Sequence, residues 1–120
     1  MKRVLIVDDD LDTTECLELM LRDTYSVTLA ENGSRGLERL RAEEFDAVVL
    51  DVMMPVLDGV AVVETLRREG NRVPIILASA TTNLKALAVR LGVSDYITKP
   101  YDFQLLLRKI ALAASGPLTG

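Results

Sequence analysis

The chain has 120 residues, 49% of them hydrophobic, which suits one domain with a sizeable core. Its formal net charge of −4 disfavours direct binding to nucleic acid, which requires basic patches. The sequence contains no histidine, so Ser-His-Asp catalysis, Cys-His catalysis and histidine metal ligands are excluded.

No apolar stretch approaches the roughly 20 residues of a membrane-spanning helix. The apolar run after Met1, Lys2 and Arg3 is too short for a signal peptide. We therefore predict a cytoplasmic protein without a membrane partner. The single cysteine, Cys16, excludes an intramolecular disulfide.

Short apolar runs alternate with segments of helical periodicity along the whole chain. The apolar runs predict five strands, at residues 4–7, 25–29, 45–50, 74–78 and 96–98, the second of them shorter and less buried. The periodic segments predict five helices: residues 11–22, a helix that contains Leu37 and Leu40 and ends near residue 43, residues 59–68, residues 83–91, and a last helix that follows Asp102 and ends at about residue 114. Five repeated strand–helix units imply an α/β fold whose parallel sheet carries helices on both faces.

Individual residues predict the buried face or the ends of some of these helices. In the first helix Cys16, Leu17 and Met20 share a face, which predicts that Cys16 is a core thiol. Gly92 is predicted to end the fourth helix, and Asp102 to cap the start of the fifth. Residues 1–114 are predicted to form the domain, and residues 115–120 a C-terminal tail or linker stub.

Polar side chains follow four of the five predicted strands. Asp8 and Asp9 follow the first strand, Asp51 the third, Ser79 the fourth and Lys99 the fifth. The carboxyl ends of parallel strands meet at one edge of the sheet, where open α/β folds bind their ligands. Crowded carboxylates repel and raise one another's pKa, so we expect a cation among them.

These five residues suit the parts of a phosphoryl transfer. A carboxylate such as Asp51 can attack phosphorus and form an acyl phosphate. The developing charge must be balanced by a metal and a cation. Asp8, Asp9 and Asp51 offer the hard oxygen ligands that suit Mg²⁺. Lys99 supplies a positive charge on a flexible stem, and Ser79 supplies a hydroxyl donor.

Each residue also has a structural interpretation when it is taken alone. Asp10 can cap a helix, Ser79 can belong to a turn, and Lys99 can be a surface charge. Asp58 and Gly59 together can simply form a turn. The coincidence of polar residues at four strand ends favours one joint site.

Four segments carry a family pattern, in order, over nearly the whole chain. They are Val4-Leu5-Ile6-Val7-Asp8-Asp9-Asp10, Leu50-Asp51-Val52-Met53-Met54-Pro55 with Asp58-Gly59, Leu77-Ala78-Ser79-Ala80, and Asp95-Tyr96-Ile97-Thr98-Lys99-Pro100. This set resembles the receiver domain of two-component response regulators. The resemblance implies a flavodoxin-like, doubly wound (βα)5 fold with a five-stranded parallel sheet in the order 2-1-3-4-5.

The resemblance also implies a function. Asp51 would take a phosphoryl group from a sensor histidine kinase or phosphotransfer protein, with Mg²⁺ as cofactor. Asp9, Asp51 and the backbone carbonyl of Met53 would be direct metal ligands, and Asp8 would act through water. Lys99 would pair with the phosphate. Such a domain is regulatory and is not an enzyme beyond assisting its own phosphorylation and dephosphorylation.

A switch is implied as well. Ser79 stands where the family has Thr or Ser, and Tyr96 where it has an aromatic switch residue. Phosphate on Asp51 would draw Ser79 inward, Tyr96 would turn into the vacated space, and the face made by the fourth helix, fifth strand and fifth helix would change. The resemblance further implies a cis peptide bond before Pro100.

The sequence departs from the family pattern in two places. Met53 puts an apolar side chain at a position lining the phosphorylation site, which leaves the dephosphorylation rate open. The stretch between Ser79 and Gly92 is slightly shorter than usual, which predicts a short fourth helix. Because that helix carries only Lys85 and Arg90 as charges, we expect a monomer or at most a weak dimer.

Three alternatives stay open. The first is a degenerate receiver that binds partners without phosphorylation. The second is a phosphohydrolase like the haloacid dehalogenases, which place an acid two residues after the nucleophile, where this chain has Met53. The third is a flavodoxin-like cofactor binder, whose first loop would cradle phosphate. Here the acidic run of residues 8–10 would repel it.

Overall fold

The computed structural model describes residues 1–115 and shows five strands that alternate with five helices. The strands are β1 (Lys2–Val7), β2 (Tyr25–Ala30), β3 (Ala47–Asp51), β4 (Ile75–Ser79) and β5 (Asp95–Thr98). The helices are α1 (Leu11–Leu21), α2 (Gly33–Ala42), α3 (Gly59–Arg68), α4 (Leu84–Leu91) and α5 (Phe103–Ala114).

The strands form one parallel sheet in the order β2-β1-β3-β4-β5. The predicted fold and strand order are therefore confirmed. The three central strands are almost entirely buried because helices cover both faces, which explains their uninterrupted apolar sequences. The edge strand β2 is less buried, as predicted, although its six residues make it as long as β1.

Alternate residues of each central strand face two separate core layers. In β1, Leu5 and Val7 pack with α2, α3 and α4, whereas Val4 and Ile6 pack with α1 and α5. Side chains from three helices close the first layer, among them Leu37, Leu40, Val62, Val63, Leu66 and Leu84. This two-sided burial fixes the strand register and so fixes which residues reach the sheet edge.

The prediction that Cys16 is a core thiol is wrong. Cys16 is exposed, and Met20 is 41% exposed. The buried face of α1 is made instead by Thr14, Leu17 and Leu21, which follow the same helical period in a different phase.

Several predicted boundaries shift by a few residues. The third strand begins at Ala47, and just before it the Asp46 carboxylate accepts a hydrogen bond from the Arg3 backbone N–H at 2.8 Å. The second helix begins at Gly33, where a turn alone was expected, and Asn32 caps it by accepting a hydrogen bond from the Arg35 N–H. The predicted cap at Asp102 and the predicted end at Gly92 are confirmed.

None of the helices within residues 1–115 is long and apolar enough to cross a membrane. Helix α5 ends at Ala114, and the domain bounds of residues 1–114 stay a prediction. The predicted tail begins at Ser115, and its residues 116–120 lie outside the described residues.

Candidate functional site

The structure brings the predicted polar residues together at the carboxyl edge of the sheet. Val7 pairs with Leu50, and Asp51 pairs with Ala78, so Asp8, Asp51 and Ser79 end neighbouring strands. All three side chains are buried, with exposed fractions of 3% for Asp8, 5% for Asp51 and 1% for Ser79. Such burial is unusual for the two carboxylates. The buried acids need partners, and the nearest cation is Lys99.

Lys99 connects the two buried carboxylates. Its Nζ lies 2.8 Å from Oδ2 of Asp8 and 3.2 Å from Oδ2 of Asp51. The Lys99 side chain is only 24% exposed. The backbone helps to hold it, since the Lys99 N–H donates to the Ser79 carbonyl at 2.8 Å. The Lys99–Pro100 peptide bond is cis, as predicted.

The second oxygen of each buried carboxylate is also held. Oδ1 of Asp51 accepts a hydrogen bond from the Met53 N–H at 3.1 Å, and Oδ1 of Asp8 accepts one from the Asp10 N–H at 2.9 Å. Both acids therefore sit in fixed orientations before any ligand binds. The Met53 side chain itself is 70% exposed.

Burial governs the electrostatics of the site. Burial raises the pKa of Asp51 above its ordinary value; Lys99 opposes this effect, and the neighbouring Asp8 carboxylate adds to it. For Lys99, burial acts to lower the pKa, but the hydrogen bond and charge of Asp8 and the charge of Asp51 outweigh it and raise the pKa. Asp51 is thus a buried carboxylate whose charge is incompletely compensated.

A third carboxylate completes an acidic cluster. One oxygen each from Asp8, Asp9 and Asp51 lie within 4.8 Å of one another. Carboxylate oxygens gathered in this way are the hard donors that suit Mg²⁺. Asp9 is exposed, which leaves one side of the cluster open to solvent. The donor set and its spacing fit a hard divalent cation.

Asp10, the next acid along the chain, has a structural role. Its carboxylate accepts hydrogen bonds from the backbone N–H groups of Asp12 and Thr13 and caps α1. The Thr13 side chain and backbone lower the pKa of Asp10. The cap interpretation is therefore confirmed for Asp10, and Asp8 and Asp9 are left to face the site.

Ser79 and Tyr96 occupy one face of neighbouring strands. Tyr96 pairs with Leu77, two residues before Ser79, so both side chains point to the same side of the sheet. The Ser79 hydroxyl accepts a hydrogen bond from the Thr81 N–H at 3.2 Å. Tyr96 is half-buried against the first core layer, with Nζ of Lys109 5.8 Å from its ring centroid.

The loop after β3 is held closely against α3. Asp58 caps that helix by accepting a hydrogen bond from the Ala61 N–H, so it does more than form a turn. A Cβ atom at Gly59 would lie 2.6 Å from the Asp51 carbonyl oxygen, and only glycine allows this approach. Val56, in the loop between Asp51 and Gly59, has a φ of 64°, which is a strained value for a β-branched residue.

Tyr101 lies beside the site and was not singled out from the sequence. Nζ of Lys99 is 6.0 Å from the centre of its ring, and the two residues line a cavity of about 390 Å³ together with Asp10 and Ala80. Burial raises the pKa of Tyr101 to about 12. The sequence signal that could have identified Tyr101 is its position as an aromatic residue directly after Lys99-Pro100.

The 2-1-3-4-5 parallel sheet, with a lysine bridging two buried carboxylates at its ligand edge, defines a doubly wound α/β domain of the flavodoxin-like class. The family model described as the response regulator receiver domain matches residues 4–111. The chain belongs to the response regulator receiver family.

The curated relatives are transcriptional regulators and response regulators. The transcriptional regulatory protein PcoR of Escherichia coli is 34% identical over 113 residues, covering 92% of this chain and 50% of PcoR. The response regulator MprA of Mycolicibacterium vanbaalenii is 40% identical over 111 residues, covering 90% of this chain and 48% of MprA. The chain therefore spans about half the length of these relatives.

Solved structures of receiver domains and response regulators have the same fold as this chain. A Francisella response regulator receiver domain matches with a TM-score of 0.90 and 28% identity, over 96% of this chain and 98% of that one. TrrA from Thermotoga maritima, solved in complex with Mg²⁺ and BeF, matches with a TM-score of 0.84 and 30% identity, over 94% of this chain and 99% of that one.

Proposed function

We propose that the domain is a phosphorylation switch in which Asp51 accepts a phosphoryl group. The observation that carries the proposal is the Lys99 ammonium bound at once to Asp8 and Asp51. A cation in this position can follow negative charge from the carboxylate to an incoming phosphoryl group. The alternative that the site is degenerate has no support in these contacts, since the acids and the lysine are all present and joined.

The proposed chemistry is a transfer from a phosphohistidine of a sensor kinase or phosphotransfer protein. A carboxylate oxygen of Asp51 attacks phosphorus, the new O–P bond forms, and the N–P bond breaks with its electron pair returning to the donor imidazole. The Met53 backbone N–H holds Oδ1 of Asp51, and the flexible Lys99 side chain holds Oδ2.

The cofactor proposed for this step is Mg²⁺. Asp9 and Asp51, with the Met53 backbone carbonyl, would hold it directly, and Asp8 through water. When bound, the ion would neutralise charge on the phosphoryl oxygens. The protein's own part is to hold the acids in place: Asp8 and Asp51 are buried and hydrogen-bonded, while exposed Asp9 leaves a path for entry.

The output would pass through Ser79 and Tyr96. Both lie on one face of the sheet, and Tyr96 packs between the first core layer and Lys109 of α5. Movement of the Ser79 hydroxyl toward a phosphoryl oxygen would release the Thr81 N–H and so shift the start of α4. Helix α4 is short and lacks a side-chain cap at Asn83, which makes it the easiest helix to move.

The domain is proposed to be a monomer before phosphorylation and at most a weak dimer after it. Asp95 and Lys109 could have paired with a second copy, but they bind each other within one chain at 2.8 Å. Exposed ion pairs contribute only about 0–1 kcal/mol each, so the remaining charges on this face would hold a dimer weakly. Sedimentation of the unmodified protein tests this, and a tight dimer broken by charge reversal at Arg108 would contradict it.

Covalent labelling tests the phosphorylation itself. The protein is incubated with Mg²⁺ and a small phosphodonor, and its intact mass is measured. We expect one added phosphoryl group that is stable in acid and labile in base, and no addition when the metal is chelated. An unlabelled wild-type protein under these conditions would favour a receiver that acts without phosphorylation.

A further inference from the structure

Four arginines line one cleft between α3 and α4. The cleft has a volume of about 580 Å³. Arg67 and Arg68 lie in the last turn of α3, Arg90 in the last turn of α4, and Arg72 in the connection to β4. In a parallel α/β fold the helices end where the strands begin, so this cleft lies at the sheet edge opposite the one that carries Asp51.

These arginines have no ion-pair partner among residues 1–115. Four other arginines of the described chain, Arg3, Arg35, Arg39 and Arg41, each pair with a glutamate. Six remain without an ion pair in this part of the protein, and four of the six meet in this one cleft. Glu64 is the single acidic residue lining the cleft within the described range.

Arg67 is held in place as a donor. Its Nη1 donates to the backbone carbonyls of Asn71 at 2.9 Å and Val73 at 3.2 Å. Burial lowers the pKa of Arg67, and the positive charge of Arg72 lowers it further. A guanidinium has five N–H donors, and only one nitrogen of Arg67 makes these bonds.

Helix dipoles explain part of this arrangement. Basic residues stabilise the last turn of a helix, which accounts for Arg67, Arg68 and Arg90 one at a time. The dipole does not account for Arg72, which lies outside both helices and adds to the repulsion. A cluster of four cations with one acid is stabilised when an anion binds between them.

We propose that the α3–α4 cleft binds a small anion that carries two or more phosphate or carboxylate groups. Guanidinium groups bind both kinds of oxyanion through paired hydrogen bonds. The volume of the cleft falls within the range of small-molecule sites. The cleft is separate from the proposed phosphorylation site, so this proposal does not depend on the function proposed for Asp51.

Titration of the whole ¹⁵N-labelled chain tests the proposal. Tripolyphosphate and the tricarboxylate tricarballylate are added separately, without Mg²⁺ and at constant ionic strength, and amide shifts are followed. We expect saturable shifts centred on residues 64–72 and 90–92. The double variant Arg72→Ala/Arg90→Ala should weaken binding at least about tenfold, because charged hydrogen bonds are lost. Its phosphorylation by a small donor should be unchanged.

The matched control removes the same charge elsewhere. Arg22 and Arg108 are exposed arginines that have no ion pair within residues 1–115 and lie outside the cleft. The variant Arg22→Ala/Arg108→Ala should bind both probes within about twofold of the wild type, since general attraction is screened by salt. Equal weakening in the two double variants would overturn the proposal. So would shifts centred elsewhere, the absence of saturation, or binding of a glutamate-rich peptide but of neither small anion.

Discussion

Nζ of Lys99 lies 3.2 Å from Oδ2 of Asp51, although 48 positions separate the two residues in the chain. The same ammonium contacts Asp8 at 2.8 Å. The lysine therefore partly neutralises a pair of buried carboxylates in the metal-free domain. This arrangement leads to specific expectations for stability, metal binding and switching.

Asp51→Asn should stabilise the metal-free protein by about 1 kcal/mol, which corresponds to a rise of a few degrees in Tm. Burial raises the pKa of Asp51, so ionisation of this group opposes folding, and the amide removes the charge without removing the side chain. Thermal unfolding at pH 7 with a chelator present measures the effect. A lower Tm for the variant would contradict the argument from crowded charge.

The pH dependence of that difference has a fixed sign. Because the folded pKa of Asp51 is raised above the unfolded value of about 3.9, its destabilising effect grows as the pH rises through that value and levels off above the folded pKa. The advantage of Asp51→Asn should therefore be largest near neutral pH and shrink in acid. An advantage that stays constant down to pH 3 would point to a cause other than ionisation.

Mg²⁺ should raise the Tm of the wild-type protein at constant ionic strength, because it binds only the native cluster. Asp9→Asn should reduce this gain, since one carboxylate of the cluster is lost. Asp10→Asn is the matched control: it removes a neighbouring charge but keeps a residue that caps α1 well. Equal loss of the Mg²⁺ effect in both variants would show that only general acidity matters.

Lys99→Met should destabilise the metal-free protein by about 2 kcal/mol, because Asp8 and Asp51 lose their shared partner while buried. Adding Asp51→Asn to this variant should recover part of the loss. Lys109→Met is the control, since its partner Asp95 is 32% exposed and can be solvated when the pair is broken. Denaturant unfolding of all four proteins provides the comparison. Equal losses for the two lysine variants would contradict a special role for Lys99.

Ser79→Ala should still accept a phosphoryl group but lose most of the spectral change at Tyr96. The Ser79 hydroxyl accepts a hydrogen bond from the Thr81 N–H, and among the described residues it makes no hydrogen bond with Asp51 or Lys99. Tyrosine fluorescence with and without a phosphoryl mimic measures the change, and Tyr96→Phe identifies the reporting ring. Loss of phosphorylation itself in Ser79→Ala would assign the hydroxyl to the chemistry.

The joint site could be predicted from sequence because a parallel sheet fixes where strands end. Once Val4–Val7 and the run before Asp51 are recognised as strands of one parallel sheet, Asp8 and Asp51 are expected at the same sheet edge, and pairing of the two strands makes them neighbours. The family resemblance then supplied the order of the strands and the cis bond before Pro100, and both are confirmed. Local chemistry was also sufficient for the caps at Gly92 and Asp102.

Some features depend on tertiary contacts and could not be predicted from the sequence. The apolar residues of α1 allow more than one buried face, and packing on the sheet selected the one that contains Thr14 and leaves Cys16 exposed. The start of α2 depends on Gly33, where a Cβ would lie 2.0 Å from the Leu57 carbonyl oxygen, a contact with no local signal. The arginines of the α3–α4 cleft likewise come from three separate segments.

Locating the phosphoryl group tests the central claim most directly. The protein is phosphorylated with a small donor and Mg²⁺ and then reduced with borohydride, which converts an aspartyl phosphate to homoserine, and its peptides are sequenced by mass spectrometry. We predict homoserine at position 51 in the wild type and at no position in Asp51→Asn. Homoserine at position 8 or 9 of the wild type, or full labelling of Asp51→Asn, would contradict the assignment of Asp51 as the phosphoacceptor.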